Sequence, residues 1–274
     1  MTLDVALVQL TTPADARGAL DHAAPLIREA AAMGAQLILL PECANLVEQR
    51  REFKTGKVAT EDDDVFVIGV RALAKARKVS ILIGSVIVAS GRDHRAANRT
   101  LLIGPDGDIQ ARYDKIHLFD ADTPDGKSYR ESATMCPGDQ AVVANTPSGR
   151  LGLSICYDVR FAHLYRTLAK AGVDMIAVPA AFTVPTGRAH WEVMLRARAI
   201  ETGAFVLAPA QGGAHEDGRQ TWGHSLVVNP WGEVIARLDH DRPAILTATL
   251  DLAEVTRARQ ALPQLQHDRV IGHP

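Results

Sequence analysis

An α/β fold with mixed sheets is what this sequence predicts, and three features carry the prediction. Apolar runs of strand length alternate with longer, Ala-rich stretches whose apolar residues recur every three or four positions. Some of the short runs, such as "AQLILLP" (Ala35–Pro41), are apolar on both faces, as a strand buried inside a sheet requires. Turn signals join several neighbouring strands into hairpins, so the sheets are expected to be mixed rather than purely parallel.

The elements follow in order. "DVALVQL" (Asp4–Leu10) reads as a strand, Ala14–Met33 as a helix and Ala35–Pro41 as a second strand. The acidic run "EDDD" (Glu61–Asp64) follows Thr60 and precedes a helical stretch, Val65–Arg77. It fits an N-cap and an acidic first turn facing the helix dipole better than a metal site. Val79–Ala89 is a strand, and two more strands meet at "GPDGD" (Gly104–Asp108), where Pro-Asp-Gly supplies the turn. After a polar segment, Asp120–Asp139, a hairpin is expected through Pro147–Gly149, its second strand running on to Tyr157 and Asp158. Phe161–Ala171 reads as a helix, "DMIAVPAAF" (Asp174–Phe182) as a strand and Ala189–Thr202 as a helix, with Trp191, Leu195 and Ala199 on its packed face. Strands at Ala204–Gln211, His224–Pro230, Val234–Leu238 and Ala244–Asp251 follow, with a turn at Asn229–Glu233. A helix over Leu252–Ala261 precedes a tail, residues 262–274. No Pro/Gly/Ser-rich linker, repeat or low-complexity segment divides the chain, so 1–274 is read as one domain.

Composition narrows the function. The 274 residues are 47% hydrophobic and 23% charged, an ordinary globular balance with enough chain to bury a core. The net charge of −2 and the lack of a basic block argue against a nucleic-acid partner. No run of about 18 apolar residues exists to span a membrane, and "MTLDVALVQL" lacks the basic flank and apolar core of a signal peptide. Three widely spaced cysteines (Cys43, Cys136, Cys156) form neither a disulfide framework nor a zinc site, which favours a reducing, cytoplasmic setting. The ten histidines show no ligand spacing, so a metal is not implied, and the chemistry that the resemblance below implies needs no organic cofactor either.

Three apolar strands end on chemistry-bearing residues: Glu42 after "LILLP", Lys115 after "IQARYD" and Cys156 after "LGLSI". Strand ends in α/β sheets open onto the crevice where ligands bind. A carboxylate, an amine and a thiol in one crevice would make a nucleophilic site, with Cys156 attacking, Glu42 taking its proton and Lys115 facing the developing oxyanion. Each also has an ordinary structural explanation: a small buried hydrophobe for Cys156, a helix N-terminal carboxylate for Glu42 and a solvated charge for Lys115. Their convergence from distant parts of the chain is what favours chemistry.

"LPEC", "YDKIHLFD" and "GLSICYDVRF" resemble the three signature segments of the nitrilase-like carbon–nitrogen hydrolases. The likeness continues through "RESATMCPGD", "VPAAFTVPTGRAHWEVMLRARAIE", "WGHSLVVNPWGEVIA" and "LPQLQHDR", and so covers nearly the whole chain. "TGRAHW" and "RARAIE" look most like the Nit branch, which holds the deaminated glutathione amidases, the omega-amidases and the Nit half of Nit–Fhit fusions. The resemblance implies a four-layer α-β-β-α sandwich with two mixed sheets, at least dimeric, with the 262–274 tail suited to a subunit interface. It implies a Glu42–Lys115–Cys156 triad, with Glu131 as a second glutamate that positions the amide nitrogen and the lysine. It also implies a thioester on Cys156, an oxyanion held by Lys115 and the Tyr157 N–H, and ammonia as the leaving group.

For the substrate, the resemblance implies a small carboxylated amide: deaminated glutathione first, α-ketoglutaramate as the alternative, a nitrile less so. Tyr129, Arg130, Arg160, Phe182, Thr183, Thr186 and His190 lie near the motifs as candidate binding residues. Arg160 suits a substrate carboxylate, but pairing with Asp158 or with a helix C-terminus is open to it as well. "RFAHLYR" departs from the family's usual "RFPELYR", so Ala162 and His163 leave the next helix without an acidic first turn. A protein that kept the sandwich only for interaction would have no need of Glu42, Lys115, Glu131 and Cys156 together.

Overall fold

In the computed structural model, which describes residues 1–48, 50, 56–92 and 94–272, two six-stranded mixed sheets face one another. In chain order the first strands and helices are β1 (Thr2–Gln9), α1 (Ala16–Ala32), β2 (Leu37–Leu39), α2 (Val65–Arg77), β3 (Ser80–Arg92), β4 (Arg95–Ile103) and β5 (Ile109–Asp114). Next come β6 (Asp120–Asp122), β7 (Ser128–Arg130), β8 (Val143–Thr146), β9 (Gly149–Leu153), α3 (Ala162–Lys170), β10 (Met175–Ala177) and α4 (Val184–Thr202). The last are β11 (Phe205–Ala208), β12 (Gly212–Ala214), β13 (Gln220–Trp222), β14 (Leu226–Val228), β15 (Val234–Arg237), β16 (Ala244–Asp251) and α5 (Ala253–Ala261).

The strand order is β16-β1-β2-β3-β4-β5 in one sheet and β15-β14-β11-β10-β9-β8 in the other. Each sheet has three parallel central strands flanked by antiparallel ones, which is the mixed character the hairpin signals predicted. Alternation along β1 shows how the layers are made. Val5 and Leu7 belong to the same core as Leu151 and Leu153 of the facing sheet, while Ala6 and Val8 turn the other way, into a core shared with Ile27 of α1 and Phe66 of α2. Trp191, Leu195 and Ala199 of α4 cover the outer face of the second sheet, as their spacing predicted. The result is the four-layer sandwich.

Local differences have physical causes. α2 begins at Val65 with Asp64 as its N-cap, accepting from the Phe66 and Val67 N–H groups at 3.0 Å. The acids before it are therefore not a first turn, and Glu61 instead pairs with Arg99 and Arg112. α4 starts five residues before the predicted Ala189, because Pro185 sits in the first turn, where its missing N–H costs nothing. β9 stops at Leu153, short of the expected Tyr157, and Cys156–Arg160 forms a 3₁₀ turn. Two hairpins, β6–β7 and β12–β13, lie where no strands were expected, outside both sheets. α3 lacks an acidic first turn, as anticipated, and His163 packs edge-on against His117 and Phe161. Part of the tail lies on its own chain: Arg166 donates to the Gln264 carbonyl at 2.8 Å and pairs with Asp268. Among the described residues, no helix is long and apolar enough to cross a membrane.

Candidate active site

Glu42 leaves the end of β2 two residues beyond Leu40, whose N–H donates to the Leu82 carbonyl at 2.9 Å. Gly84 makes this approach possible: a Cβ there would lie 2.0 Å from the Leu40 oxygen and 2.4 Å from the Pro179 Cβ. Lys115 follows Asp114, the last residue of β5, and its N–H donates to the Asn98 carbonyl at 2.9 Å. Cys156 opens the turn after β9 with φ 48°, its N–H donating to the Pro179 carbonyl at 2.9 Å. A non-glycine residue in this left-handed region is strained and needs its surroundings to hold it. Asp158 does much of the holding. It is fully buried and accepts from the Ile155 N–H (2.8 Å), the Tyr113 hydroxyl (2.7 Å) and the His117 N–H (3.0 Å), which clamps the Cys156 turn to the end of β5.

The charged groups form a closed network. Lys115 Nζ donates to Glu42 Oε1 and to Glu131 Oε2, each at 2.8 Å. Asn98 Nδ2 donates to Glu42 Oε1 and Glu131 Oε1, each at 3.0 Å, the Ala181 N–H donates to Glu42 Oε2 at 2.9 Å, and the Phe119 N–H to Glu131 Oε2 at 2.7 Å. Burial works against the Lys115 charge, but Glu131 and Glu42 outweigh it and hold the amine well above its ordinary pKa. Glu131 moves the other way: burial opposes ionisation, yet Lys115 keeps its carboxyl below the usual range. Burial and then the Glu42 charge push the Cys156 thiol well above its ordinary value, with Lys115 and the Ala181 N–H only partly offsetting them. The surroundings thus disfavour the Cys156 thiolate and favour a charged Lys115.

Glu42, Lys115, Glu131, Cys156 and Tyr157 all line one cavity of about 260 Å³. So do Tyr129, Arg130, Arg160, Phe182, Thr183 and Thr186. His190 does not; it is exposed on α4 and accepts from Arg160 at 3.3 Å. Arg160 does not pair with Asp158 or cap a helix. Its guanidinium lies over Tyr157 and Phe182, 5.7 and 5.6 Å from the ring centroids, and has no acidic partner among the described residues. Sequence reasoning missed Asn98, Phe119, Arg219 and Glu48. Asn98 had one signal, a polar side chain inside an apolar strand, whereas Arg219 and Glu48 come from loops with no pattern to mark them. Among the described residues no cluster fit to hold a metal ion is found.

The candidate site thus brings together a buried thiol, a carboxylate within its reach and a fixed ammonium, set on a sandwich of two mixed sheets. The chain belongs to the carbon–nitrogen hydrolase family, whose model matches residues 4–260, and it is a hydrolase of carbon–nitrogen bonds other than peptide bonds. It is 40% identical over 269 residues to the deaminated glutathione amidase of Synechocystis, covering 96% of each chain. It is 35% identical to the omega-amidase NIT2 of Homo sapiens over 97% of this chain and 94% of that one. The solved NitFhit protein of C. elegans superposes with a TM-score of 0.89 at 35% identity; the match covers 98% of this chain but 65% of that one.

Proposed function

We propose that this chain hydrolyses a small carboxylated amide through a thioester on Cys156, with deaminated glutathione as the preferred substrate. The observation that carries the mechanism is the Glu42–Lys115–Glu131–Asn98 network beside the thiol. Arg160, a cation with no acidic partner among the described residues, takes the carboxylate of the acyl half. As the amide carbonyl approaches Cys156, the thiol proton passes to Glu42 and the sulfur attacks. An ammonium has three N–H donors, and Lys115 uses two on Glu42 and Glu131, so the third serves the oxyanion together with the Tyr157 N–H. Glu131 and Asn98 keep the lysine and Glu42 aligned. Glu42 then returns the proton to the departing amine, and a water activated by the same carboxylate opens the thioester to the acid.

The leaving group depends on the substrate. A primary amide such as α-ketoglutaramate releases ammonia, whereas deaminated glutathione, whose acyl group is joined to a peptide, releases the peptide amine. Resemblance to the deaminated glutathione amidases supports the first substrate, and the 35% identity to an omega-amidase keeps α-ketoglutaramate as the second reading. The proposal also takes residues 1–274 as one unit acting as a homodimer in a cytoplasmic setting. Exposed Val193 and Ile200 on α4, with exposed Trp231 in the β14–β15 turn and exposed Ile235 on β15, support a self-association surface. Assaying both amides at equal concentration tests the substrate order. The expected result is faster turnover of deaminated glutathione, and a preference of about tenfold or more for α-ketoglutaramate, roughly 1.4 kcal/mol, reverses it.

A further inference from the structure

The stretch "RARAIE" (Arg196–Glu201) puts a buried guanidinium, Arg198, against the turn that carries Cys156 and that also holds the buried carboxylate of Asp158. We propose that Asp158 and Arg198 are positioning residues for the reaction: together they brace the strained Cys156–Arg160 turn and set the thiol at its working distance from Lys115. Neither side chain lines the cavity, so neither acts by touching substrate. This deepens the amidase reading and rests on it, since it takes Cys156 as the nucleophile.

Connectivity is the first argument. Asp158 Oδ2 accepts from the Ile155 N–H at 2.8 Å and the Tyr113 hydroxyl at 2.7 Å. Its Oδ1 accepts from the His117 N–H at 3.0 Å and the His117 Nδ1–H at 2.7 Å. Those four bonds use all the acceptor positions a carboxylate has. Ile155 directly precedes Cys156, while Tyr113 and His117 flank Lys115 on either side. One buried carboxylate thus fastens the segment of the nucleophile to the segment of the lysine. An amide could not replace it, because either orientation of its NH2 would face a backbone N–H, that of Ile155 or that of His117.

Bracing from a second element is the other argument. Arg198 of α4 donates from Nε to the Val159 carbonyl at 2.7 Å and from Nη1 to Glu201 Oε1 at 2.7 Å, and its guanidinium lies 5.2 Å from the Tyr165 ring centroid. The Tyr165 hydroxyl meets Ser154 Oγ at 2.8 Å, and Ser154 Oγ donates to the Ala177 carbonyl of β10 at 2.8 Å. The turn is therefore held to β5 through Asp158, to α4 through Val159 and to β10 through the residue that leads into it. Bonds to charged partners are the strong ones, and this turn has need of them. Cys156 is held at φ 48°, a conformation that persists only where its surroundings enforce it.

The test sets amide turnover against the reactivity of individual thiols. Asp158→Asn should lower kcat for deaminated glutathione or α-ketoglutaramate about 10²-fold, as a misplaced reacting group does, with KM changed by no more than about threefold. Arg198→Met should lower kcat about tenfold, and Arg198→Lys, which still has an N–H for the Val159 carbonyl, should recover part of that loss. Iodoacetamide labelling, quantified for each cysteine by mass spectrometry, separates a loosened turn from a loosened fold. Alkylation needs an accessible sulfur but no oxyanion geometry, so in Asp158→Asn it should rise severalfold at Cys156 and stay unchanged at buried Cys136. A kcat kept within about threefold, or an unchanged or lower ratio of Cys156 to Cys136 labelling, would overturn the assignment. Should Cys136 open too, Tyr113→Phe decides, because it removes one hydroxyl from Asp158: kcat lower by roughly three- to tenfold with Cys136 closed supports the clamp, and an unchanged kcat overturns it. Absence of amide turnover in the unaltered protein sinks the amidase reading itself, and the labelling ratio still judges the clamp.

Discussion

Cys43 and Cys156 occupy similar places. Each follows a central strand, each has a positive φ (55° and 48°), and each lines the same cavity. Acidity does not separate them. Burial and the Glu42 charge push Cys43 up to about 12 and raise Cys156 as well. The difference is partnership. Glu42 acts on Cys43 only through its charge, while it also reaches Cys156 as a hydrogen-bond partner; Lys115 favours both thiolates, but the Ala181 N–H favours that of Cys156 alone. On the proposed mechanism, then, the thiol that reacts is the one able to hand its proton over as substrate arrives, not one that is ionised at rest.

That contrast is open to attack in three ways, the largest effect first. Cys156→Ala should lower amide turnover by about 10⁴-fold or more with the fold intact, since residues acting as a unit fail together; steady-state kinetics with a melting curve checks it. Glu42→Gln should separate acidity from catalysis. Removing the carboxylate charge lets the Cys156 pKa fall, visible as thiolate absorbance at lower pH, while turnover drops about 10²- to 10⁴-fold for want of a base. If turnover held or rose as the pKa fell, the proton-transfer account would be wrong. Cys43→Ala is the smallest: kcat/KM should change by no more than about threefold, because Glu42 reaches that sulfur only through its charge. A large loss would make the two thiols partners rather than contrasts.

Much of this was legible beforehand. Glu42, Lys115 and Cys156 each stand just past an apolar strand, and an apolar strand end in an α/β fold faces a crevice. The strands and helices themselves announced their periods. The β6–β7 and β12–β13 hairpins did not, because strands of three residues are too short for alternation to register. The partners of Asn98 were hidden for a different reason: it meets Glu42 across 56 positions and Glu131 across 33, contacts no local pattern encodes. Arg160 shows the reverse case. Two residues from Asp158 in sequence, it was open to pairing with it, yet Asp158 is spent on Tyr113, His117 and the Ile155 N–H, so the guanidinium turns into the cavity.

By itself, then, the sequence determined the layer pattern, because burial of alternating apolar residues depends only on neighbours along a strand. It also determined which reactive groups exist and that they stand at strand ends. Tertiary structure alone decided which carboxylate faces the thiol and which holds the lysine, and which arginine enters the cavity. Those outcomes rest on hydrogen-bond distances of about 3 Å between residues as far apart as Glu42 and Ala181, 139 positions along the chain, and such distances are set by how the two sheets pack.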